Sequence, residues 1–306
     1  MADIIVIGSF VMDAVATMDK YPQAGETVLG KDINFYPGGK GINQCVTVAR
    51  MGGKAEMAGS LGNDANGKVF IEIMDKESIK HEKVFICDKP TAVAQIQINA
   101  DGQNRICVIP SANYMFGFEE LSAADDLFKP GKIVVFQLEM RRDVTFEAIK
   151  KAHKEGCVVI LNPAPAFRVP DEVLACVDFL TPNETELGIL TECDTSTEEG
   201  IEKGILTLLN RGTKCVITTV GAKGAVIGDD SGIRSVKGYK VTAIDTVAAG
   251  DSFNGALAVA LSEGKSIDDA VNFANACGAL TVQGKGAIPS IRTRKEVENF
   301  IKNNRR

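Results

Sequence analysis

Short runs of β-branched and apolar residues recur along the chain, each bounded by polar or glycine-rich breaks. Ile4–Ile7, Glu56–Ser60, Ile133–Leu138, Val158–Asn162, Phe179–Leu180, Val216–Val220 and Ala225–Ile227 read as strands. Segments of helical period lie between and after them, with recognisable starts. Ser196-Thr197-Glu198-Glu199 has the capping-box pattern and opens a helix that stops at Gly212. Ser266 with Asp269 and Thr293 with Glu296 repeat the device. This alternation predicts an α/β architecture: a doubly wound, mainly parallel central sheet with helices on both faces. Ligands of such sheets bind beyond the carboxyl ends of the strands.

One region breaks the alternation. Ala94-Gln95-Ile96-Gln97-Ile98 has period two, and Arg105–Ile109 follows after Asn99-Ala100-Asp101-Gly102. That is a hairpin pattern with Asp101-Gly102 as the turn. Glu26 to Tyr36 is also strand-like. These segments form either an antiparallel edge of the main sheet or a small separate sheet over a ligand site. No repeat, linker or low-complexity segment divides the chain, so residues 1–306 read as one domain.

Composition narrows the function. With 45% hydrophobic and 24% charged residues the chain has the make-up of an ordinary soluble globular protein. No apolar stretch approaches the ~20 residues that span a bilayer, and the N-terminus reads as a buried strand rather than a signal peptide. A cytoplasmic protein without a membrane partner is expected. The net charge of −6 argues against nucleic acid, which needs clustered cations, and Arg305-Arg306 reads as a solvated tail. The eight cysteines contain no C-x-x-C pair, and several sit in apolar runs, so they read as buried free thiols. His81 and His153 are the only histidines, each in a polar stretch of helical character (Lys76–Lys83 and Ile149–Gly156). A His-based metal site or a Ser-His-Asp triad is therefore nearly excluded.

Four motifs carry candidate chemistry. Asp245-Thr246-Val247-Ala248-Ala249-Gly250-Asp251 leads into a helix of small and apolar residues running from about Gly250 to Glu263. Amides from Ala248 to Asp251 can converge on an anion there, helped by the helix dipole. Asp251, in the first turn, either satisfies the helix terminus or serves as a hydroxyl-activating base. Pro37-Gly38-Gly39-Lys40-Gly41-Ile42-Asn43-Gln44 precedes a helix from Ile42 to Met51, and is neither a Walker A motif nor a dinucleotide fingerprint. Its glycines allow close approach of a substrate or simply turn the chain. In Thr181-Pro182-Asn183-Glu184-Thr185-Glu186, Asn183 and Glu186 share a helix face, where they can cap the helix, serve Mg²⁺, or both. Thr218-Thr219-Val220-Gly221-Ala222-Lys223-Gly224 is a strand and glycine turn that either covers a nucleotide or reverses the chain.

In this order, the motifs resemble the ribokinase/PfkB family of sugar kinases. The resemblance spans essentially the whole chain and includes Pro22 to Thr27, Gly38 to Gln44, Leu161 to Ala166, Thr181 to Glu186 and Asp245 to Gly255. It implies a ribokinase-like fold with a small β-sheet lid from about 10–36 and 90–110, through which a homodimer would form. It implies an ATP-dependent carbohydrate kinase that transfers the γ-phosphoryl group to a primary sugar hydroxyl, with the 5-hydroxyl of D-ribose as the leading acceptor. Asp251 would take the proton, and the Ala248, Ala249 and Gly250 amides would hold developing charge. Asp13, Gly39, Lys40, Asn43 and Glu139 match sugar-binding positions. Asn183 and Glu186 match the Mg²⁺/phosphate motif, and Thr219, Gly221, Gly224, Gly250 and Asn275 match nucleotide contacts. A K⁺ site is implied around Asp245, Val247, Thr281, Gly284, Gly286 and Ser290, built mostly of backbone oxygens.

One position departs from the pattern. Ribose kinases of the family usually carry Asn two residues before the sugar-binding Asp, and here Val11 stands there. Valine cannot hydrogen-bond a hydroxyl. A ketohexose, deoxyribose or a nucleoside stays open as acceptor, and from another class a non-catalytic sugar-binding regulator. The Asp251 segment and the Asn183/Glu186 pair argue against the regulator, since a binder needs neither.

Overall fold

Residues Asp3–Ile7 face two cores at once. Ile4 and Val6 join one buried cluster, Ile5 and Ile7 the other, because successive strand side chains point to opposite faces of a sheet. Both faces must then be covered. The computed structural model describes residues 3–304 and shows how. Its first strands are β1 (Asp3–Ile7), β2 (Val11–Thr17), β3 (Asp32–Gly38), β4 (Lys54–Gly62), β5 (Lys80–Cys87), β6 (Val93–Ile98) and β7 (Asn104–Ile109). They are followed by β8 (Ile133–Phe136), β9 (Val158–Leu161), β10 (Phe179–Leu180), β11 (Cys215–Thr219), β12 (Gly224–Asp229) and β13 (Gly232–Lys237). The helices are α1 (Lys40–Arg50), α2 (Ala65–Lys76), α3 (Phe118–Ala123), α4 (Arg142–Lys154) and α5 (Asp171–Leu174). After these come α6 (Glu184–Thr191), α7 (Glu198–Asn210), α8 (Ala249–Ser262), α9 (Ile267–Thr281) and α10 (Arg294–Asn303).

The main sheet has nine strands in the order β13-β12-β11-β10-β9-β8-β1-β4-β5. All neighbours from β11 to β5 pair in parallel, and β12 and β13 close one edge as antiparallel strands. Ile42, Phe70, Leu257, Val271 and Val297, from α1, α2, α8, α9 and α10, pack into the cluster that holds Ile4 and Val6. Leu121, Ile149, Val173, Leu187 and Ile205, from α3 to α7, pack into the other. The strand order turns back at β1, which lies between β8 and β4, and a crevice opens there at the carboxyl ends.

The period-two region forms a second, four-stranded sheet, β3-β2-β6-β7, so the edge-extension alternative does not hold. Its hairpin is as expected, although the loop is 99–103 rather than a two-residue turn: Asn99 N–H donates to the Gln103 carbonyl. Four local expectations need correction. Of Glu26–Tyr36 only the part from Asp32 is a strand, which continues to Gly38. His81 lies in β5, an edge strand whose polar residues imitate a helix surface. Thr197, not Ser196, caps α7, its hydroxyl accepting the Gly200 N–H at 3.0 Å. The thiols of Cys45, Cys157, Cys215 and Cys277 are buried, but Cys107 is exposed on β7. Arg305-Arg306 lies outside the described residues.

Candidate active site

Two helices bring the central groups together. β3 passes into α1 through Gly39, whose φ of 100° is left-handed and whose missing side chain leaves room for Val11: a Cβ would stand 2.6 Å from the Val11 nitrogen. In α8, Gly255 lies one turn beyond Asp251, and a Cβ there would stand 2.6 Å from the Gln44 carbonyl oxygen. The two helices can therefore approach closely, and the Asp251 carboxylate reaches the start of α1. Asn43 Nδ2 donates to its Oδ2 at 2.9 Å, and Gln44 Nε2 to its Oδ1 at 3.1 Å. Asp251 is only 7% exposed, so these bonds fix the carboxylate where water has little access.

Gln44 is itself held. Its Nε2 also reaches Asn162 Oδ1 at 3.2 Å, and its Oε1 accepts from Gln137 Nε2 at 2.7 Å. Asn162 donates to the Thr181 carbonyl, and the Thr181 hydroxyl donates to Asn254 Oδ1. This amide chain follows the carboxyl ends of β8, β9 and β10 and ends at α8. Glu139, just past β8, completes the arrangement by accepting the Lys40 N–H at 3.0 Å and the Ser9 hydroxyl at 2.5 Å. It thereby caps α1, which Gly39 cannot do.

These groups line a cleft of about 500 Å³ whose walls include Asp13, Lys40, Asn43, Glu139, Glu186 and Asp251. Burial works against the charge of the Lys40 ammonium, but Asp251, Glu139 and Glu186 outweigh it and hold its pKa above the usual value. Burial, reinforced by Glu139, pushes the Asp13 carboxyl up to about 6. Burial also raises Glu186, with Asp251 in the same direction and the Asn183 amide and Lys40 opposing. Asn43 Oδ1 is a buried acceptor without a hydrogen bond.

A second cavity of about 310 Å³ adjoins the first, and Thr219, Thr246 and Gly250 line both. Gly221, Gly224 and Asn275 lie in its wall among apolar side chains such as Phe253, Ala279 and Val282. Asn275 is oriented by donating to the Val236 carbonyl at 3.2 Å. The start of α8 stands between the cavities. Ala248, its N-cap, has a φ of 62°. The Ala249 N–H turns to the Thr246 carbonyl at 3.3 Å, and Ala249 faces the second cavity. Among the described residues the amides of Ala248, Gly250 and Asp251 donate to no protein group, which leaves them for an anion at the junction.

Oxygen donors gather at two other places. Asn183 and Glu186 form a reciprocal capping box, with Asn183 N–H donating to Glu186 Oε2 at 2.9 Å and Glu186 N–H to Asn183 Oδ1 at 2.8 Å. Behind α8, Asp245 ties two loops by accepting from Val247 N–H at 3.0 Å and Gly286 N–H at 2.9 Å. The loop 286–291 is further fixed by Arg50, which donates to the Ile288 and Ile291 carbonyls. Its Ser290 hydroxyl bonds the Ala287 carbonyl, whereas the Thr281 hydroxyl is spent on Ser252 and the Cys277 carbonyl inside the helix pair. No cluster of three or more His, Cys, Asp and Glu side chains suited to a metal occurs among the described residues.

The site residues named from the sequence thus fall into three adjoining groups: the cleft, the second cavity, and the loops behind α8. Sequence reasoning gave no site role to Gln44, Gln137, Asn162, Thr181, Asn254 or Ser9. Only the partner of each, 32 to 207 residues away in the chain, shows what it does. Gln44 had a signal in standing beside Asn43 on the same glycine motif.

Comparison with known proteins agrees with this arrangement. The pfkB family carbohydrate kinase model matches residues 1–294. A ribokinase of Haemophilus influenzae is 35% identical over 297 residues, covering 97% of each chain. The crystal structure of a ribokinase from Thermotoga maritima superposes with a TM-score of 0.89 at 37% identity, covering 99% of this chain and 100% of the other. An Arabidopsis thaliana ribokinase complexed with ribose and ATP superposes with a TM-score of 0.91 at 33% identity, covering 99% of each.

Proposed function

The chain belongs to the pfkB family of carbohydrate kinases, and from that membership we propose that it phosphorylates the 5-hydroxyl of D-ribose with ATP. The observation that carries the reading is the junction at α8, where a buried, doubly hydrogen-bonded carboxylate stands beside unpaired amides between two cavities. The sugar occupies the polar cleft, where Asp13, the Asn43 carbonyl oxygen, Lys40 and Glu139 meet its hydroxyls. Gly39 lets it approach the backbone. The adenosine lies in the second cavity against Gly221, Gly224 and Asn275, and Thr219 lies on the path of the phosphates.

Transfer then follows from position. The sugar's primary hydroxyl passes its proton to Asp251 as its oxygen bonds to the γ-phosphorus. The bond from phosphorus to the β,γ-bridging oxygen breaks, and ADP leaves with that electron pair. The amides of Gly250 and Asp251, with the end of the helix dipole, stabilise the charge on the transferring group, and the Ala248 amide adds to them. Lys40 lowers the repulsion between the phosphates and the carboxylates around it.

Glu186 and Asn183 present oxygen donors at the cleft that suit Mg²⁺ held through water, and the ion supplies charge neutralisation of the phosphates when bound. The loops containing Asp245, Val247, Gly284, Gly286 and Ser290 offer carbonyl and hydroxyl oxygens that suit K⁺, and the Asp245 tie puts them directly behind the start of α8. The small sheet acts as a lid. Its outer face exposes Ile33 and Phe35, the latter to 59%, which supports a homodimer through that face. No helix among the described residues is long and apolar enough to cross a membrane. The buried thiols fit a reducing compartment, the cytoplasm.

A coupled ADP-release assay with ribose tests the reading. Sugar-dependent ADP release with ribose 5-phosphate as product is expected. ATP turnover that ignores ribose and every other sugar offered would overturn it.

A further inference from the structure

Arg50 ends α1 and spends its guanidinium away from its own helix. A basic side chain in a last helical turn can satisfy the free carbonyls of that turn. Here Nη1 donates instead to the carbonyls of Ile288 and Ile291, at 2.8 and 2.7 Å. Nε and Nη2 donate to the Glu77 carboxylate at the end of α2. Both side chains are largely buried. The planar guanidinium serves all these acceptors at once, which the single nitrogen of a lysine cannot do.

The two carbonyls lie on either side of Ser290, in a loop whose oxygens are divided between two uses. The Val282 carbonyl accepts from the Ile244 and Asp245 N–H groups, and that of Ala287 from the Ser290 N–H and hydroxyl. Those of Ile288 and Ile291 are taken by Arg50. The carbonyls of Gly284, Gly286 and Ser290 accept from no group among the described residues. The Ser290 hydroxyl gives away its hydrogen and keeps its lone pairs. Free oxygens thus lie between tied ones, and Arg50 ties the pair that flanks Ser290. Ile288 and Ile291 are buried, so without Arg50 their carbonyls would lose a charged donor and the loop would shift to replace it. Gly286 N–H, at the start of the loop, donates to Asp245, so such a shift reaches the segment before α8.

Charge is balanced as well. A lone guanidinium near this loop would repel a cation. The Glu77 carboxylate cancels it, so Arg50 supplies donors without adding net positive charge.

We propose that Arg50, held by Glu77, is a positioning residue for the monovalent cation, fixing the 286–291 loop in the shape that binds K⁺. The proposal rests on the reading of these loops as a K⁺ site. Arg50 lines neither cavity, so it reaches the reaction only through the loop.

The test follows the Tm of the full chain as KCl replaces tetramethylammonium chloride at constant ionic strength. Turnover of ribose with ATP is measured over the same series, and both are repeated in Arg50→Met and Arg50→Lys. Wild-type Tm and kcat should rise with K⁺, since an ion that binds only the folded chain stabilises it. In Arg50→Met the half-saturating K⁺ concentration should rise about tenfold or more in both readouts, with kcat at saturating K⁺ within about threefold of wild type. Arg50→Lys keeps the charge without the fork and should fall between, which keeps the test decisive if the methionine variant folds poorly. Removing a positive charge would by itself strengthen K⁺ binding, so tighter binding in Arg50→Met overturns the proposal. A Tm lowered equally at every K⁺ concentration, with the half-saturating value unchanged, also overturns it and makes Arg50 a staple between helices. So does a kcat that saturating K⁺ cannot restore. A wild type whose Tm and turnover ignore K⁺ overturns the cation reading and the proposal with it, while ribose turnover in the same assay leaves the kinase reading standing.

Discussion

The two walls of the cleft differ in how strongly their polar groups are fixed. On the main-sheet side, Asp251 accepts from two amides of α1, one of which is held by a third amide just past β8. Glu139 is tied to the backbone of α1 and to Ser9. On the small-sheet side Asp13 accepts from no donor among the described residues, and Ile106 and Val108 on the same face are 56% and 55% exposed. The first wall is pre-organised, as phosphoryl transfer requires of the groups around the reacting atoms. The second is the wall that gains most from a substrate, since ligand and sheet can bury each other. In the proposed reading the chemistry lies on the first wall, which also gives Asn43, Lys40 and Glu139 to the sugar. The second wall contributes to recognition alone, through Asp13.

Substitutions can break that division. The largest effect is expected at the fixed wall: Asp251→Asn should lower kcat by at least ~10² in the ADP-release assay, the scale of lost general-base catalysis, while the fold persists. Turnover close to wild type would mean that another group takes the proton. Next is a pH effect confined to the other wall. Because burial and Glu139 raise the Asp13 carboxyl to about 6, it is ionised above that pH and becomes protonated as pH falls through it. The KM for sugar should therefore rise up to about tenfold per unit below pH 6 and stay flat above 7. Asp13→Asn should flatten the profile, and a slope that survives in this variant points to a different titrating group.

Gln44→Ala sharpens the comparison further. It removes a donor from Asp251 without touching substrate, so a loss of about 1 kcal/mol, roughly fivefold in kcat, is expected with the sugar KM little changed. A change in KM alone would make Gln44 a recognition residue instead. The last effect, read as stability rather than rate, lies at the junction of the walls. Gly39→Ala places a methyl against Val11 at a left-handed φ and should cost about 1–3 kcal/mol of stability, seen as a lower Tm. An unaltered melting curve would show that the junction can relax.

How much of this could be read from the chain followed the same division. The core strands were legible because buried parallel strands such as Val158–Leu161 are continuous β-branched runs. The start of α8 was legible because its small residues and Asp251 are contiguous. β5 was not, since an edge strand with polar residues at alternate positions, including His81, carries the composition of a helix surface. β2 was illegible by pattern: Val-Met-Asp-Ala-Val-Ala-Thr mixes small and polar residues, because one face meets a cleft and beyond Met12 no residue is fully buried. The Gln137–Gln44–Asp251 chain was beyond reach for a different reason. Its links span 93 and 207 residues, and only the fold determines which buried amides meet.

The most direct test of the division measures kcat and sugar KM side by side in Asp251→Asn and Asp13→Asn at pH 7.5. The account predicts that Asp251→Asn loses kcat with KM within about threefold of wild type. Asp13→Asn should do the reverse, raising KM about tenfold or more with kcat within about threefold. Loss of kcat in both, with KM unmoved, would contradict it, because the small sheet would then take part in the chemical step rather than in choosing the sugar.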